Sequence, residues 1–269
     1  MSETFLITGA ASGIGRHLAG ELLKRGARVL ATDLNHEGLE ALRQSAGSAD
    51  VLWTECQDVR DAGQWESLLA EMVRRWGRVD VLMNVAGVIR PGWVQEGSSV
   101  DVDFHLDINV KGVIHGTHAA ARVMLKQGGG HIINIASLAG IAPIPGLSLY
   151  CASKFAVRGF TLAIAQELMQ KGIKVTVVCP DAVQTPMLDM QVDYEQAAMT
   201  FSGNRVLTVE DVASVILGRV LEKAPLEVMI PASRGWLAKL ASAFPDLNTK
   251  LLESLQKKGQ KQQQARRTH

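Results

Sequence analysis

The chain has 269 residues, of which 47% are hydrophobic and 20% are charged. This composition is typical of a folded globular protein of one or two domains and excludes a disordered chain. The 28 basic and 27 acidic residues almost balance, which argues against nucleic acid as a partner because a phosphate backbone selects a basic surface. The three cysteines are too few and too scattered for a disulfide framework or a zinc site, so we expect a reducing, cytoplasmic setting.

Apolar, strand-like segments alternate with segments of helical periodicity. Predicted strands occupy residues 4–8, 28–32, 51–55, 79–84, 130–136, 174–179 and 226–230. Predicted helices occupy residues 14–25, 36–45, 62–76, 102–126, 148–171 and 208–222. Several strands are rich in Val, Ile and Leu without alternation, as expected of strands buried on both faces of a parallel sheet. With no linker before residue 231, the pattern predicts an α/β fold with a single doubly wound Rossmann-type parallel sheet and helices on both faces.

The first predicted strand runs into a glycine-rich turn, residues 8–15, and then into a helix. Glycines let the backbone approach a pyrophosphate, and a helix N-terminus offers unpaired N–H groups. A tight turn without a ligand is the alternative. Asp33 ends the second predicted strand at about the 20-residue offset of an acid that accepts from adenosine ribose hydroxyls. The turn and the acid together predict a dinucleotide site.

Ser137 follows the fifth predicted strand, and Tyr150 and Lys154 share one predicted helix. Residues four apart lie on the same helix face. A free tyrosine has a pKa near 10, but a nearby ammonium and an oxidised nicotinamide both favour phenolate and lower that pKa. The Ser137 hydroxyl can hydrogen-bond a substrate oxygen and stabilise alkoxide charge. Tyr-x-x-x-Lys alone is common on exposed helices, so the prediction of proton transfer depends on Ser137 and the upstream turn.

These motifs resemble the short-chain dehydrogenase/reductase family over about residues 3–230. The glycine spacing in 8–15 is similar to the family's, and residues 84–87 resemble its Asn-Asn-Ala-Gly signature, with Val85 in place of the second Asn. The resemblance implies a catalytic set of Asn109, Ser137, Tyr150 and Lys154. It implies cofactor contacts by Gly9, Ser12, Gly13, Ile14, Gly15, Asp33, Asp58, Val59, Asn84, Ala86, Gly87, Tyr150, Lys154, Pro180, Val183 and Thr185.

Two segments within the resemblance leave alternatives open. Asn109 matches a residue that interrupts helical bonding and helps hold a water linking Lys154 to solvent; a local side-chain bond that bends the helix is the alternative. Residues 180–187 resemble the Pro-Gly-x-Val-x-Thr segment beside the nicotinamide. Asp181 stands where glycine is usual, so either the loop adopts another conformation or Asp181 points to solvent.

Asp33 also bears on the choice of cofactor. A carboxylate beside the 2′-position accepts a hydrogen bond from a free hydroxyl and repels a 2′-phosphate. In similar proteins NADP preference needs a basic residue at positions that here hold Ser12 and Leu34. We therefore expect NAD.

By analogy with the family, residues 187–207 form a substrate lid. Its apolar side chains are Met187, Leu188, Met190, Met199 and Phe201. Residues 89–93, 138–145 and Leu147 should line the rest of the site, and no arginine pair is placed to clamp a carboxylate or phosphate. An apolar secondary alcohol or its ketone fits best, of steroid, retinoid, long-chain or hydroxyacyl type. The alternative is that these residues only pack the lid.

His115 and His118 lack a third ligand, so no metal is expected.

The residues after 231 form a C-terminal extension, 232–269. Apolar residues recur on both sides of Pro245, namely Trp236, Leu237, Leu240, Phe244, Leu247, Leu251, Leu252 and Leu255. Five basic residues and no acidic residue lie between 257 and 269, so we expect this end to be frayed and solvated. The extension resembles that of hydroxysteroid and retinol dehydrogenases, and it could touch a membrane weakly. We expect a homodimer through 102–126 and 148–171, or a homotetramer.

No signal peptide is expected, because the first residues lack a basic segment followed by an apolar stretch. No transmembrane helix is expected either, because no uncharged apolar run reaches about 18 residues. The sequence thus predicts an NAD(H)-dependent oxidoreductase. Its rivals are an NADP-linked ketone reductase, a non-catalytic NAD(H)-sensing protein that signals through a partner, and a peripheral membrane or scaffold protein that acts through the extension.

Overall fold

The computed structural model describes residues 2–46 and 50–267. Its centre is a seven-stranded sheet in the order β3-β2-β1-β4-β5-β6-β7, in which every neighbouring pair is parallel. The strands are β1 Thr4–Thr8, β2 Arg28–Asp33, β3 Leu52–Cys56, β4 Val81–Asn84, β5 Gly130–Ile135, β6 Ile173–Pro180 and β7 Glu227–Ile230. The chain order reverses direction beside β1, so the predicted doubly wound α/β fold is confirmed.

Helices flank both faces of the sheet. They are α1 Gly13–Lys24, α2 His36–Ala46, α3 Ala62–Trp76, α4 Ser99–His105, α5 Gly112–Gln127, α6 Ser148–Met169, α7 Pro186–Met190, α8 Val209–Val215, α9 Leu221–Lys223, α10 Ala232–Ala243 and α11 Thr249–Arg267. Two π-helical segments, Leu106–Lys111 and Ile216–Val220, join α4 to α5 and α8 to α9. Short 3-10 segments, Gln191–Asp193 and Glu195–Ser202, follow α7.

Two hydrophobic cores lie on opposite faces of the sheet. Ile7 of β1 packs in the core beneath α1, α2 and α8, while the adjacent Leu6 packs in the core beneath α3, α5 and α6. Both side chains are fully buried. Successive side chains of a strand point to opposite faces, so a strand covered on both sides needs apolar residues at every position. This explains the unalternating Val, Ile and Leu of the sequence.

The predicted helix 102–126 is longer and less regular in the structure. It begins at Ser99, because the Ser98 hydroxyl accepts a hydrogen bond from the Asp101 N–H and the Asp101 carboxylate accepts one from the Ser98 N–H. It then passes through the π-helical segment Leu106–Lys111, which contains Asn109. A π-bulge inserts an extra residue into the helical repeat, a feature that apolar periodicity does not report.

The expectation of a frayed basic end is wrong as far as Arg267. Helix α11 packs against the segment Glu195–Ser202, and a Cβ on Gly259 would lie 2.1 Å from the Ala198 backbone oxygen. The buried Gln263 side chain donates to the backbone oxygens of Gln191 and Tyr194, at 2.9 and 2.7 Å. The face of α11 that packs against the protein is thus formed by Gly259 and the side-chain amide of Gln263. The basic residues of the helix did not indicate this face in the sequence. Thr268, His269 and the side chains of Leu247, Leu251 and Leu252 lie outside the described residues.

Helix α10 carries an exposed apolar face. Trp236, Leu240 and Phe244 are each 58–60% exposed. On its other side, α10 covers β7 and approaches the carboxyl end of the sheet. Within the described ranges, none of the helices is long and apolar enough to cross a bilayer.

Candidate active site

The glycine-rich turn brings backbone groups close together at the carboxyl end of β1. Gly9 and Gly13 have φ values of +67° and +52°, in the left-handed region that favours glycine. A Cβ on Gly15 would lie 2.2 Å from the Gly9 backbone oxygen, so a side chain there would not fit. The turn is therefore built for close backbone approach, as a pyrophosphate cradle requires.

The first turn of α1 is open to an anion. Ser12 is the N-cap, yet its hydroxyl makes no capping bond, and the first turn contains no acidic residue. The N–H groups at a helix start lack intrahelical partners and carry partial positive charge. The predicted cofactor residues Ser12, Gly13 and Ile14 thus lie where an uncompensated helix end could bind a dinucleotide phosphate.

Asp33 is held beside this turn by two backbone groups. One carboxylate oxygen accepts a hydrogen bond from the Ala11 N–H at 3.0 Å, and the other accepts one from the Asn35 N–H at 2.9 Å. The next residue, Leu34, is exposed and carries no charge. The Asp33 carboxylate is thus fixed against the glycine-rich turn. The side chain of Leu34 offers no positive charge that could bind a phosphate.

Asp58 and Val59 lie at the next strand end outward. The Asp58 carboxylate pairs with Arg60 at 2.6 Å, which holds the pKa of Asp58 below its usual value. Its backbone N–H donates to the Gln64 amide oxygen at 2.9 Å. The Val59 side chain contacts Gly112, where a Cβ would lie 2.7 Å from Val59 Cγ2. The Asp58 carboxylate is thus paired with Arg60, and Val59 packs against Gly112.

Thr8 joins the first turn to the segment after β4. Its hydroxyl accepts hydrogen bonds from the N–H groups of Val85 and Ala86, at 3.0 and 3.1 Å. The Asn84 side chain points into the sheet. It is buried, and its amide donates to the Asn134 side-chain oxygen at 2.8 Å, across β4 and β5. Asn84 therefore ties two strand ends together from inside the sheet.

Gly87 lies between two of the predicted catalytic residues. A Cβ at this position would lie 3.3 Å from both Asn109 Oδ1 and Lys154 Nζ. The buried Asn109 side chain accepts from the Val88 N–H at 2.7 Å and donates to the Val88 oxygen and to the Ser153 hydroxyl, both at 2.9 Å. Asn109 thus sits in the π-helical segment and fixes the backbone after Gly87.

Ser137, Tyr150 and Lys154 open onto one cavity. Lys154 Nζ donates to the Ile135 backbone oxygen at 3.0 Å and lies 5.7 Å from the centre of the Tyr150 ring. Burial lowers the pKa of Lys154 to about 8. Burial also raises the pKa of Tyr150 to about 12, and a hydrogen bond with Ser137 opposes that rise. In this arrangement burial outweighs the expected effect of the ammonium on Tyr150.

The loop after β6 completes the wall beside Ser137. The Ser137 hydroxyl donates to the Pro180 oxygen at 3.4 Å and accepts from the Ala139 N–H at 3.1 Å. Val183 forms a parallel bridge with Leu207, at the end of the lid. A Cβ on Gly13 would lie 3.0 Å from Thr185 Cγ2, so this loop meets the glycine-rich turn. The segments predicted to hold the pyrophosphate and to lie beside the nicotinamide are therefore neighbours.

The cavity has a volume of about 230 Å³ and lies at the carboxyl ends of β5 and β6. Eight of the predicted site residues line it: Ile14, Gly87, Ser137, Tyr150, Lys154, Pro180, Val183 and Thr185. The other ten, Gly9, Ser12, Gly13, Gly15, Asp33, Asp58, Val59, Asn84, Ala86 and Asn109, lie outside its lining.

The expected substrate wall is correct in part. Its lining includes Ile89, Leu138, Ala139, Ala142, Pro143, Ile144, Leu147, Met187, Leu188 and Met199. Met190 and residues 90–93 instead line a separate outer cleft. Phe201 is buried beneath Arg266, whose guanidinium carbon lies 5.7 Å from the ring centre. Helical and 3-10 turns place alternate lid residues on opposite sides, so composition alone did not separate them.

The extension supplies lining residues that the sequence analysis missed. They are Arg234, Leu237, Ala238, Ala241 and Leu255. Asp181 also lines the cavity, and its carboxylate pairs with Arg234 instead of pointing to solvent. Burial raises the pKa of this carboxyl, while Arg234 opposes the rise. The unusual Asp181 was the one available signal, because a charge at a buried loop needs a partner.

The parallel sheet, the glycine-rich turn and the open start of α1 define a dinucleotide-binding α/β protein of Rossmann type. A family model described as short chain dehydrogenase matches residues 3–196. The chain is 38% identical over 189 residues to oxidoreductase UcpA of Salmonella typhimurium, covering 70% of this chain and 72% of that protein. It is 40% identical over 194 residues to mouse 15-hydroxyprostaglandin dehydrogenase (NAD(+)), covering 68% of each.

Solved structures agree with this assignment. A short chain dehydrogenase/reductase from Burkholderia phymatum in complex with NAD is 26% identical, with a TM-score of 0.81 over 92% of this chain and 95% of that chain. ElxO with NADP bound is 28% identical, with a TM-score of 0.75 over 85% and 98%. The chain belongs to the short-chain dehydrogenase/reductase family. Membership supports an oxidoreductase that binds a nicotinamide cofactor and acts on CH–OH groups of small molecules.

Proposed function

We propose that this protein is an NAD(H)-dependent oxidoreductase that interconverts a hydrophobic secondary alcohol and its ketone. The observation that carries the proposal is the meeting of Ser137, Tyr150 and Lys154 on one cavity with a mostly apolar wall. An apolar wall favours a substrate with few charges. The mouse relative named for 15-hydroxyprostaglandin and NAD gives this reading further support.

Four residues of the chain would share proton transfer and the positioning of substrate and cofactor. Tyr150 takes the proton of the substrate hydroxyl during oxidation and returns it during reduction, while Ser137 hydrogen-bonds the same oxygen. Lys154 holds the nicotinamide ribose and favours the phenolate form of Tyr150. Asn109 supports a water that links Lys154 to solvent. A bound oxidised nicotinamide would supply the hydride acceptor, and its positive charge would oppose the effect of burial on the pKa of Tyr150.

The cofactor residues favour NAD over NADP. The Asp33 carboxylate is fixed by Ala11 and Asn35, and Leu34 offers no cation. A 2′-phosphate would therefore meet a carboxylate with no basic residue at position 34 to offset it. The rival reading is an NADP-linked ketone reductase, and the related structure of ElxO has NADP bound.

Exposed apolar residues and free cysteines support proposals on oligomeric state, cellular location and membrane contact. Val102, Leu106, Leu125 and Phe155 are exposed apolar residues on the helices expected to form a dimer, which favours a homodimer or homotetramer. All three cysteines are free thiols, which supports a cytoplasmic location. The exposed face of α10 is where weak peripheral membrane contact would occur. We infer a cofactor-binding domain over residues 1–231, with residues 232–269 as an extension that covers the substrate.

The test is the absorbance of reduced nicotinamide, measured with NAD and NADP side by side. The substrates are secondary alcohols of short aliphatic, long-chain, hydroxyacyl and steroid types. We expect turnover with NAD on the larger apolar alcohols. Faster turnover with NADP would contradict the role of Asp33. Cofactor binding without turnover of any alcohol would favour the sensor reading, and liposome binding lost on removal of residues 236–269 would favour the membrane reading.

A further inference from the structure

A small polar cluster interrupts the apolar wall of the cavity. Arg234 of α10 places Nε 2.5 Å from an Asp181 carboxylate oxygen, and its Nη2 donates to the Ser202 hydroxyl at 2.9 Å. Arg234, Asp181 and Ser202 all line the cavity, so the guanidinium forms part of its wall. Leu237, Ala238 and Ala241 of α10 line the same side.

The Arg234 guanidinium has donors to spare. It carries five N–H donors in a planar fork; one of them donates to the Ser202 hydroxyl, and Nε faces Asp181 in an ion pair. Across residues 2–46 and 50–267, the structure describes no other hydrogen-bond acceptor for it. The side chain is 29% exposed, so solvent or a ligand can reach the remaining donors. The fork is anchored by Asp181 and therefore needs little ordering to bind a further group.

We propose that Arg234 is a specificity-determining residue that binds a second, hydrogen-bond-accepting oxygen of the substrate. Asp181 positions its guanidinium, and Ser202 links the same group to the lid. This inference rests on the proposed function and narrows its substrate class to apolar secondary alcohols or ketones that carry another oxygen elsewhere in the molecule.

The charge of the cluster selects the kind of oxygen. Asp181 neutralises Arg234, so a substrate carboxylate at this point would meet a carboxylate as well as a guanidinium. An uncharged ketone, ether or hydroxyl oxygen accepts a hydrogen bond without that repulsion. In an apolar wall such a bond to a charged donor is worth about tenfold or more in selectivity, because an unmatched substrate leaves the donor without its partner.

The experiment compares a long-chain secondary alkanol with analogues of the same length that carry one ketone oxygen at stepped positions. The measured quantity is the ratio of kcat/KM for the best keto analogue to that for the plain alkanol, with NAD as cofactor. We expect a ratio of about ten or more in the unmodified protein. The double variant Arg234→Met with Asp181→Gly removes the pair without leaving an unpaired carboxylate, and its ratio should fall to about one.

Ser202→Ala is the matched control, because it removes the bond to the lid while keeping the guanidinium in the cavity. Its ratio should stay high. If the cluster only linked α10 to the lid, each of the two variants would lower kcat/KM by the same factor for the keto analogue and for the plain alkanol. Should the double variant fail to fold, Arg234→Lys keeps the positive charge but loses the fork, and its ratio should drop severalfold.

Two outcomes separate the inference from the proposed function. Turnover of the plain alkanol with no preference for any keto analogue overturns the role of Arg234 and leaves the proposed function standing. No turnover of any of these alcohols, with cofactor binding intact, overturns both.

Discussion

The Lys154 ammonium lies 5.7 Å from the centre of the Tyr150 ring, one helical turn away on α6. Lys154 is buried and the Tyr150 side chain is half-buried, and burial moves their pKa values apart, with Tyr150 raised to about 12 and Lys154 lowered to about 8. The protein around the pair thus favours the uncharged form of each. Burial therefore opposes the phenolate form of Tyr150.

The first prediction concerns this tyrosine. Tyr150→Phe removes the group that exchanges a proton with substrate, so kcat should fall by about 10²–10⁴-fold, while cofactor binding and thermal stability persist. The other tyrosine of the chain is the control. Tyr194 is exposed and lines the outer cleft, so Tyr194→Phe should leave kcat unchanged. Equal activity in Tyr150→Phe and the unmodified protein would refute proton transfer by Tyr150.

A second prediction uses the crowding at Gly87. In Gly87→Ala the new methyl group would lie 3.3 Å from both Asn109 Oδ1 and Lys154 Nζ, so one of them must shift. We expect kcat/KM to fall by about tenfold to a hundredfold, because small displacements of catalytic groups are costly. Gly92→Ala is the matched control, since a Cβ there meets nothing within 4 Å. Similar steady-state rates in both variants would mean that this contact does not position Lys154.

A third prediction concerns cofactor preference. Asp33→Asn combined with Leu34→Arg removes a carboxylate and adds a cation beside the expected 2′-position. The asparagine oxygen can still accept from one of the two N–H groups that hold Asp33. The ratio of kcat/KM with NADP to that with NAD should rise at least tenfold, which corresponds to about 1.4 kcal/mol. An unchanged ratio would place the adenosine ribose away from Asp33.

His131 gives a prediction about stability and pH. Burial lowers the pKa of His131 from 6.5 to about 4, and its Nε2 lies 2.9 Å from the Thr176 hydroxyl. The unfolded chain therefore binds a proton between pH 6.5 and about 4 that the folded chain rejects. Stability should fall by about 3 kcal/mol as the pH drops through that range.

Urea unfolding at stepped pH values measures this effect. His131→Gln cannot take up the proton, so its free energy of unfolding should depend less steeply on pH over the same range. His105 contributes a slope of the same sign, because burial also lowers its pKa, so the dependence should shrink without vanishing. Equal slopes in the two proteins would contradict the prediction.

The last prediction concerns the attachment of α11. Gln263→Ala removes two hydrogen bonds, to the backbone oxygens of Gln191 and Tyr194, each of which keeps a second donor from a backbone N–H. The free energy of unfolding should fall by about 1–3 kcal/mol, and KM for the apolar alcohol should rise because the lid is less firmly held. Gln264→Ala changes an exposed neighbour on the same helix and should alter neither quantity. Matching values for both variants would show that α11 does not restrain the lid.

Local signals in the sequence were enough to predict the sheet and the glycine-rich turn. Val, Ile and Leu at consecutive positions specify strands buried on both faces, and glycines at fixed spacing specify a turn that no other residue can make. The same kind of signal brought Ser137, Tyr150 and Lys154 together, because a strand end and one helical turn fix their places.

What the sequence did not predict depends on contacts between distant segments. Asp181 and Arg234 meet only because α10 folds back over β7, and neither residue alone indicates the other. The docked face of α11 consists of Gly259 and Gln263, which carry no apolar pattern. Asn84 matched a cofactor signature, yet its amide turns inward to Asn134. A motif fixes the identity of a side chain but not the direction in which it points.

The Asp181–Arg234 pair limits how this protein can be recombined with its relatives. Residues 232–267 follow the last strand of the sheet, β7, and form α10 and α11 with the turn between them. Grafted onto a host with glycine at the position of Asp181, this extension would bring a guanidinium into an apolar wall with no carboxylate to meet it. A working chimera would need the aspartate transplanted together with the helices, so the unit of exchange is the loop and the extension as a set.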